Sequence, residues 1–272
     1  LKILNVMDLN EMKRRLQEMQ SKSAEKADEK KKVFWKPSVG KQTIRIVPNK
    51  YNKKNPFTEL YFYYGIGNNT MLSPTNWGER DPIAEFAKEL RKTSDKENWR
   101  LARKLDPKVR IFVPVIVRGE EDQGVRLWQF GKETYMDFLN LADNEDVGDF
   151  TDVATGRDII LTTVGPEVTG TPYNKTSIMP RTKETSVSED KSYVKNALEN
   201  QPNPMESFRK YSFDEMKTAL QTWLSPEGEE ETATPEKPAT NYALKNTSVK
   251  ENKAEKFDSL FGDEEGDDDM PF

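Results

Sequence analysis

The chain has 272 residues, of which 33 % are charged and only 34 % hydrophobic, so its core is modest and a good part of the chain lies outside it. It contains no Cys and no His, which excludes disulfides, Cys/His zinc sites and catalysis by Ser-His-Asp or Cys-His arrangements. The net charge of -5 is uneven: residues 225–272 hold 14 acidic residues and 5 lysines, and subtraction from the chain's 47 and 42 leaves 33 acidic and 37 basic residues in 1–224.

A mildly basic body with a strongly acidic end points to a polyanion partner for the body and a tail able to imitate it. No apolar run approaches the roughly 18 residues of a membrane span. The N-terminal stretch lacks a signal-peptide pattern, and the lack of Cys agrees with a cytoplasmic setting. The sequence begins at Leu1, which leaves Met7 as an alternative start.

Leu9, Met12, Leu16 and Met19 recur at helical spacing and predict a short amphipathic helix. It is either an arm that docks on a neighbouring protomer or nucleic acid, or a helix packed on its own domain. Ser21 to Lys32 reads as a charged linker. Thr43 to Val47 is a predicted strand, stopped by Pro48, and a basic loop runs from Asn49 to Pro56. Glu59 to Ile66 is a second strand with four successive aromatics, Tyr61 to Tyr64, which must point alternately to both faces. Asp81-Pro82 is a helix start, with Asp as N-cap and Pro at the first helical position. Trp99 to Leu105 continues helically, and Pro107 ends it. Val109 to Val117 is a strand, with Pro114 arguing for an edge or a bulge. A hairpin loop at Gly119 to Gly124 leads into a strand at Val125 to Phe130. Thr134 to Ala142 is a helix, Asp158 to Val164 a strand, Gly165 to Pro172 a turn-rich loop and Tyr173 to Met179 a returning strand. Ser212 to Leu224 is a helix with a Ser212/Glu215 capping box. Beyond Ser225 the Pro-, Glu- and Thr-rich chain reads as disordered. Strand hairpins with helices inserted between them predict an α+β domain around a small β-barrel.

Aromatics recur beside basic residues: Trp35 with Lys36, Lys50 with Tyr51, Trp99 with Arg100 and Arg103, Arg126 with Trp128, Tyr173 with Lys175. Single-stranded nucleic acid calls for that mixture, because cations hold phosphates while flat rings stack on bases. For any single pair a ring in the core and a cation on the surface is the default, whereas the recurrence of Trp and Tyr on strands and loops amid charge favours exposed stacking for the set as a whole. Tyr63, Trp77 and Lys104 complete the candidate set. Asp143, Glu145, Asp146, Asp149, Asp152 and Asp158 are the residues an Mg²⁺ enzyme would use, but most fall in one polar loop where solvated charge is the default.

The residues Trp35, Gly40, Ile44-Arg45-Ile46-Val47-Pro48, Pro56-Phe57, Lys96-Glu97-Asn98-Trp99, Arg103-Lys104, Trp128-Gln129-Phe130-Gly131 and Gly156-Arg157-Asp158, with Tyr173 and Ser177 after them, resemble the single-stranded-DNA-binding (helix-destabilising) proteins of T-even-like bacteriophages. The resemblance spans about residues 33–180. It implies an OB-fold core that binds single strands cooperatively and without sequence preference, with DNA contacts near Arg45, Trp99, Arg103, Trp128 and Tyr173. Well-known members of that family hold a zinc through His and Cys. The corresponding stretch here, Leu72 to Ala84, has neither, so Thr75 to Pro82 is expected to hold its shape by packing around Trp77. The family's basic arm has only a loose substitute in Met12 to Leu16.

The last six residues, Asp267-Asp268-Asp269-Met270-Pro271-Phe272, resemble the terminal peptide of bacterial single-stranded-DNA-binding proteins. That likeness implies recruitment of replication, recombination and repair proteins. The expected organisation is an N-terminal helix and linker (1–32), a DNA-binding core (33–224) and a disordered acidic tail (225–272). The expected role is coating single-stranded DNA in the cytoplasm of an infected bacterium, without catalysis, cofactor or metal. Self-association would run through the N-terminal region, and the tail would cover the basic groove when DNA is absent. An RNA-binding protein or RNA chaperone is the alternative.

Overall fold

The structure, a computed structural model, describes residues 9–67, 70–224, 257 and 259–261. Two compact units divide the chain: Leu1–Glu59 with Arg110–Ser207, and Leu60–Val109 with Phe208–Phe272. No helix among the described residues is long and apolar enough to cross a membrane.

The first unit opens with α1 (Leu9–Val33), one continuous helix where the sequence predicts a short helix and a linker. Ser21 to Lys32 is rich in Ala, Glu and Lys, which favour helix without needing a buried face. An ion pair of 3.2 Å between Asp28 and Lys31 adds local support. The stripe of Met12, Leu16 and Met19 is exposed.

The strands are β1 (Phe34–Trp35), β2 (Gly40–Ile46), β3 (Thr58–Tyr63), β4 (Met71–Leu72), β5 (Lys108–Val117), β6 (Arg126–Phe130), β7 (Arg157–Val164) and β8 (Lys175–Glu184). The main path of the sheet is β1-β6-β5-β2-β7-β8. β1 runs parallel to β6, with Trp35 opposite Trp128. The other ladders along the path are antiparallel. Among the described residues no ladder joins β8 back to β1, so the sheet is open where the sequence predicts a barrel. β1 is two residues long, and β8 ends in charged residues, both features that blunt an edge against further pairing.

Pro114 lies in a strand flanked on both sides, not on an edge. The β2 ladder stops at Ile46 opposite Val115, and Val47 N then donates to Pro114 O at 3.2 Å. Proline is tolerated there because β2 ends at that point. The core of this unit is aromatic: Trp128 meets Trp35, Phe130 and Phe138 at centroid distances of 6.0, 4.6 and 5.9 Å. Helix α4 (Lys132–Ala142) supplies Phe138, and a single turn, α5 (Pro166–Thr169), sits in the expected loop. Helix α6 (Lys191–Glu199) is not anticipated by the sequence analysis. Asp190 caps it, and Ala197 packs with Val47, Ile116, Val125 and Val187.

The second unit contains the β3–β4 hairpin from Leu60 onward, α2 (Pro82–Arg91), α3 (Lys96–Lys104) and α7 (Phe213–Leu224). The capping box is present: Ser212 N donates to Glu215 Oε2 at 2.9 Å, and Glu215 N to Ser212 Oγ at 3.2 Å. The four aromatics do not alternate. Tyr61 and Tyr64 are exposed while Phe62 and Tyr63 are both buried, because β3 ends at Tyr63 and each ring has its own cover. Phe62 packs on Phe208, with centroids 5.0 Å apart, and Tyr63 Oη donates to Asp81 at 2.9 Å. Within the stretch expected to be disordered, residues 257 and 259–261 form a helical turn whose Phe257 and Phe261 are buried. The rest of that stretch, including Asp267 to Phe272, lies outside the described residues.

Candidate nucleic-acid interface

Five residues expected at the interface are core residues instead. Arg45 is 0 % exposed. Its Nη2 donates to Asp152 O at 2.8 Å and Thr185 O at 2.6 Å, and its Nη1 to Thr185 Oγ1 at 3.2 Å and Asp158 at 3.4 Å. Arg118 holds the same Asp158 carboxylate at 2.9 Å. A Cβ on Gly156 would stand 2.7 Å from Arg45 Nη2 and 2.4 Å from Asp152 O, so glycine alone lets this turn close over the guanidinium. Burial pulls the Arg45 pKa below its ordinary value, and Asp158 opposes that shift. Arg45 and the Gly156-Arg157-Asp158 run thus form a buried lock. Trp35 and Trp128 are the centre of the aromatic core, Arg126 is buried and paired with Glu120 at 2.6 Å, and Tyr63 is enclosed with Asp81. The pairing of aromatic with basic residues does not distinguish a ring that faces solvent from one that fills the core.

In the second unit the expected constellation does form. Asp95 caps α3 by accepting from Glu97 N at 2.9 Å. Asn98, Leu101 and Ala102 take the inner face, which leaves Lys96, Trp99, Arg100, Arg103 and Lys104 outside. The Trp99 ring is 50 % exposed, with the Arg91 guanidinium 6.0 Å from its centroid. Arg91 is itself fixed by Asp106. Arg100 pairs with Glu97 at 2.5 Å, whereas Arg103 and Lys104 make no ion pair among the described residues. A ring with one face supported by a guanidinium and unpaired cations alongside can stack a base and hold its phosphates.

The first unit offers a sheet face. Register places Lys41 opposite Thr162 and Thr43 opposite Ile160, while Ser177 and Met179 of β8 stand opposite the same two β7 residues. Along β8, Lys175, Ser177, Met179, Arg181 and Lys183 are exposed. Arg181 joins Lys41, Thr43 and Arg118 around an open cleft of ≈ 700 Å³. Tyr173, 75 % exposed, borders a second cleft of ≈ 690 Å³ with Gly131, Val168 and Lys175. Lys175 donates to Glu133 at 2.6 Å, which holds its pKa above the usual lysine value. Tyr173 and Lys175 are therefore brought together as expected. Lys41, Met179, Arg181 and Lys183 were not anticipated, although the alternation Lys175-x-Ser177-x-Met179-x-Arg181-x-Lys183 was readable as one strand face. In the basic loop, Lys50 Nζ donates to Glu199 O at 2.8 Å and Tyr51 Oη to Gln201 O at 3.0 Å. Both side chains are exposed and anchored to the backbone.

The stretch from Ser73 to Ala84 is organised by Asp81 and Asn76, not by packing around Trp77. Asp81 Oδ2 accepts from Tyr63 Oη at 2.9 Å and Ser73 Oγ at 2.5 Å, while Oδ1 accepts from Ile83 N and Ala84 N at 2.9 and 3.1 Å. Asn76 bonds both backbone groups of Tyr61 at 3.0 Å. Trp77 is half-buried, with Lys210 5.1 Å from its ring centroid. The residues present do not fit a Cys/His zinc site, and a hydrogen-bonded carboxylate cross-links the segment. Among the described residues no three acids gather to hold a metal ion. Asp149 and Asp152 cap their own turns by accepting from Thr151 N and from Ala154 N and Thr155 N.

A family model described as gp32 DNA binding protein like matches residues 38–224, which takes in β2 through α7 and both surfaces above. No curated protein sequence matches the chain.

Proposed function

The chain belongs to the gp32-like family of DNA-binding proteins, and from that premise we propose that it coats single-stranded DNA through the α3 face and the β2–β7–β8 face, without reading sequence. The observation that carries this is Trp99: a half-exposed indole backed by Arg91 and set among Lys96, Arg103 and Lys104. Stacking on the ring is sequence-tolerant, since every base has a π face. Tyr173, Lys175, Lys41 and Arg181 extend the same chemistry along the sheet, and Lys50, Tyr51, Trp77 and Arg100 are peripheral contacts. The antiparallel ladders around β2 support reading the core as a partly open OB-type sheet. Duplex is melted by mass action, because a ligand of one form only shifts the equilibrium toward it.

In the same reading, residues 1–32 and 225–272 flank the core. The exposed stripe of Met12, Leu16 and Met19 joins neighbouring protomers along the strand. Asp267 to Phe272 recruits replication, recombination and repair proteins of an infected bacterial cell, with the aspartates taken by Arg or Lys. Equilibrium titration of a labelled oligonucleotide as single strand, duplex and RNA tests the function. Tightest binding to the DNA single strand is expected; equal affinity for duplex, or preference for RNA, would overturn it.

A further inference from the structure

The helical turn of residues 257 and 259–261 is held by contacts outside the DNA-binding surfaces. Phe257 and Phe261 stand four residues apart, so one helical turn puts both rings on one face. They are 3 % and 4 % exposed. Phe257 meets Phe86 of α2 with centroids 6.0 Å apart, Phe261 meets Phe213 of α7 at 6.0 Å, and the two rings meet each other at 5.0 Å. Lys217 of α7 donates from Nζ to Phe261 O at 2.9 Å and lies 5.3 Å from the Phe261 ring centroid. Carbonyls at the end of a helical turn lack backbone partners, and a cation suits them. The groove floor is Ile83, Ala87, Leu90, Met216 and Leu220, all buried. Residues 225–256 connect Leu224 to Phe257, and a chain of that length can extend to about 100 Å. Covalent connection therefore does not fix the turn in place.

We propose that the groove between α2 and α7 is a peptide-binding site for an acid-flanked Phe-x-x-x-Phe turn, and that residues 257–261 of the same chain are its resident ligand. Two pockets read the aromatic spacing. Lys217 reads the end of the turn, and its charge suits a motif followed in sequence by Asp263, Glu264 and Glu265. This is a helix-in-groove site with its ligand tethered. Peptides of the same chemistry compete for it, and its occupancy sets the root of the acidic terminus on this unit.

The test uses the full chain and a fluorescent peptide with the sequence of residues 254–264. In the Phe257→Ala/Phe261→Ala chain the groove is vacated, so the peptide is expected to bind it at least tenfold more tightly than it binds the unaltered chain. A peptide carrying the same two alanines should not bind, and adding Lys217→Met to the vacated chain should weaken capture several-fold. Equal binding to both chains, or to neither, overturns the proposal. Hydrogen exchange on the unaltered chain gives an independent reading that no loss of folding can confuse. Amides of residues 259–261 should be protected to the same degree at all protein concentrations. Exchange at the rate of a free peptide overturns the site, and protection that rises with concentration overturns the same-chain ligand in favour of exchange between copies.

Discussion

Trp99 and Trp128 are the same side chain in opposite settings, and substitution should separate them. Trp99→Ala removes a half-exposed ring from α3 and is expected to weaken single-strand binding by about 1–3 kcal/mol with stability unchanged. Trp128→Ala removes the centre of the aromatic core, where the ring is 2 % exposed, and should cost about 3–5 kcal/mol of stability. Fluorescence titration paired with chemical denaturation reads both. Arg45→Met is expected to destabilise by about 3 kcal/mol, since it breaks a buried ion pair and abandons two backbone carbonyls. The folded fraction, measured by titration under stabilising conditions, should keep its DNA affinity. A drop in affinity without a drop in stability would restore Arg45 to the interface. These residues were nameable from the sequence, but their settings were not. Solvent exposure is fixed by strand register and by partners as distant as Thr185, which pairwise proximity along the chain does not encode.

The turns and helices make their own predictions. Asp81→Ala removes the N-cap of α2 and strands the Tyr63 and Ser73 hydroxyls, which should cost roughly 3 kcal/mol. Asp81→Asn should recover part of that loss in thermal melts. Asp152 and Asp190 are held below the usual aspartate pKa, the first chiefly by hydrogen bonds from Thr155 N and Ala154 N, the second by those from Ser192. Their folded pKa values lie below the unfolded ones. Their contributions are therefore complete above the ordinary aspartate range near pH 3.9 and lost as pH falls through the lower folded values. The Asp152→Asn/Asp190→Asn chain should show a shallower loss of stability on acidification below about pH 4, measured by denaturation at stepped pH. At this scale the sequence was most legible. Caps at Asp81 and Ser212 act through neighbours two or three residues away, so local pattern suffices for them. α6 carries little local signal because its buried side is little more than Ala197. The second half of α1 is not legible as helix because a helix built from propensity alone shows no apolar period.

Across the molecule, charge is legible from composition while shape is not. The basic body and acidic end follow from counting, and the family match over residues 38–224 agrees with a polyanion partner. The open order of the sheet depends on which edges remain unpaired, and the docking of Phe257 and Phe261 depends on a groove between α7 and α2, the latter more than a hundred positions earlier, so neither is written locally. The claim that α3 carries phosphate contacts has a direct measurement: single-strand affinity as a function of salt, for the unaltered chain and for Arg103→Gln/Lys104→Gln. Each phosphate contact contributes about -0.7 to the slope of log affinity against log salt. A steep negative slope is predicted for the unaltered chain, made shallower by about 1.4 in the variant; identical slopes for the two would contradict the account.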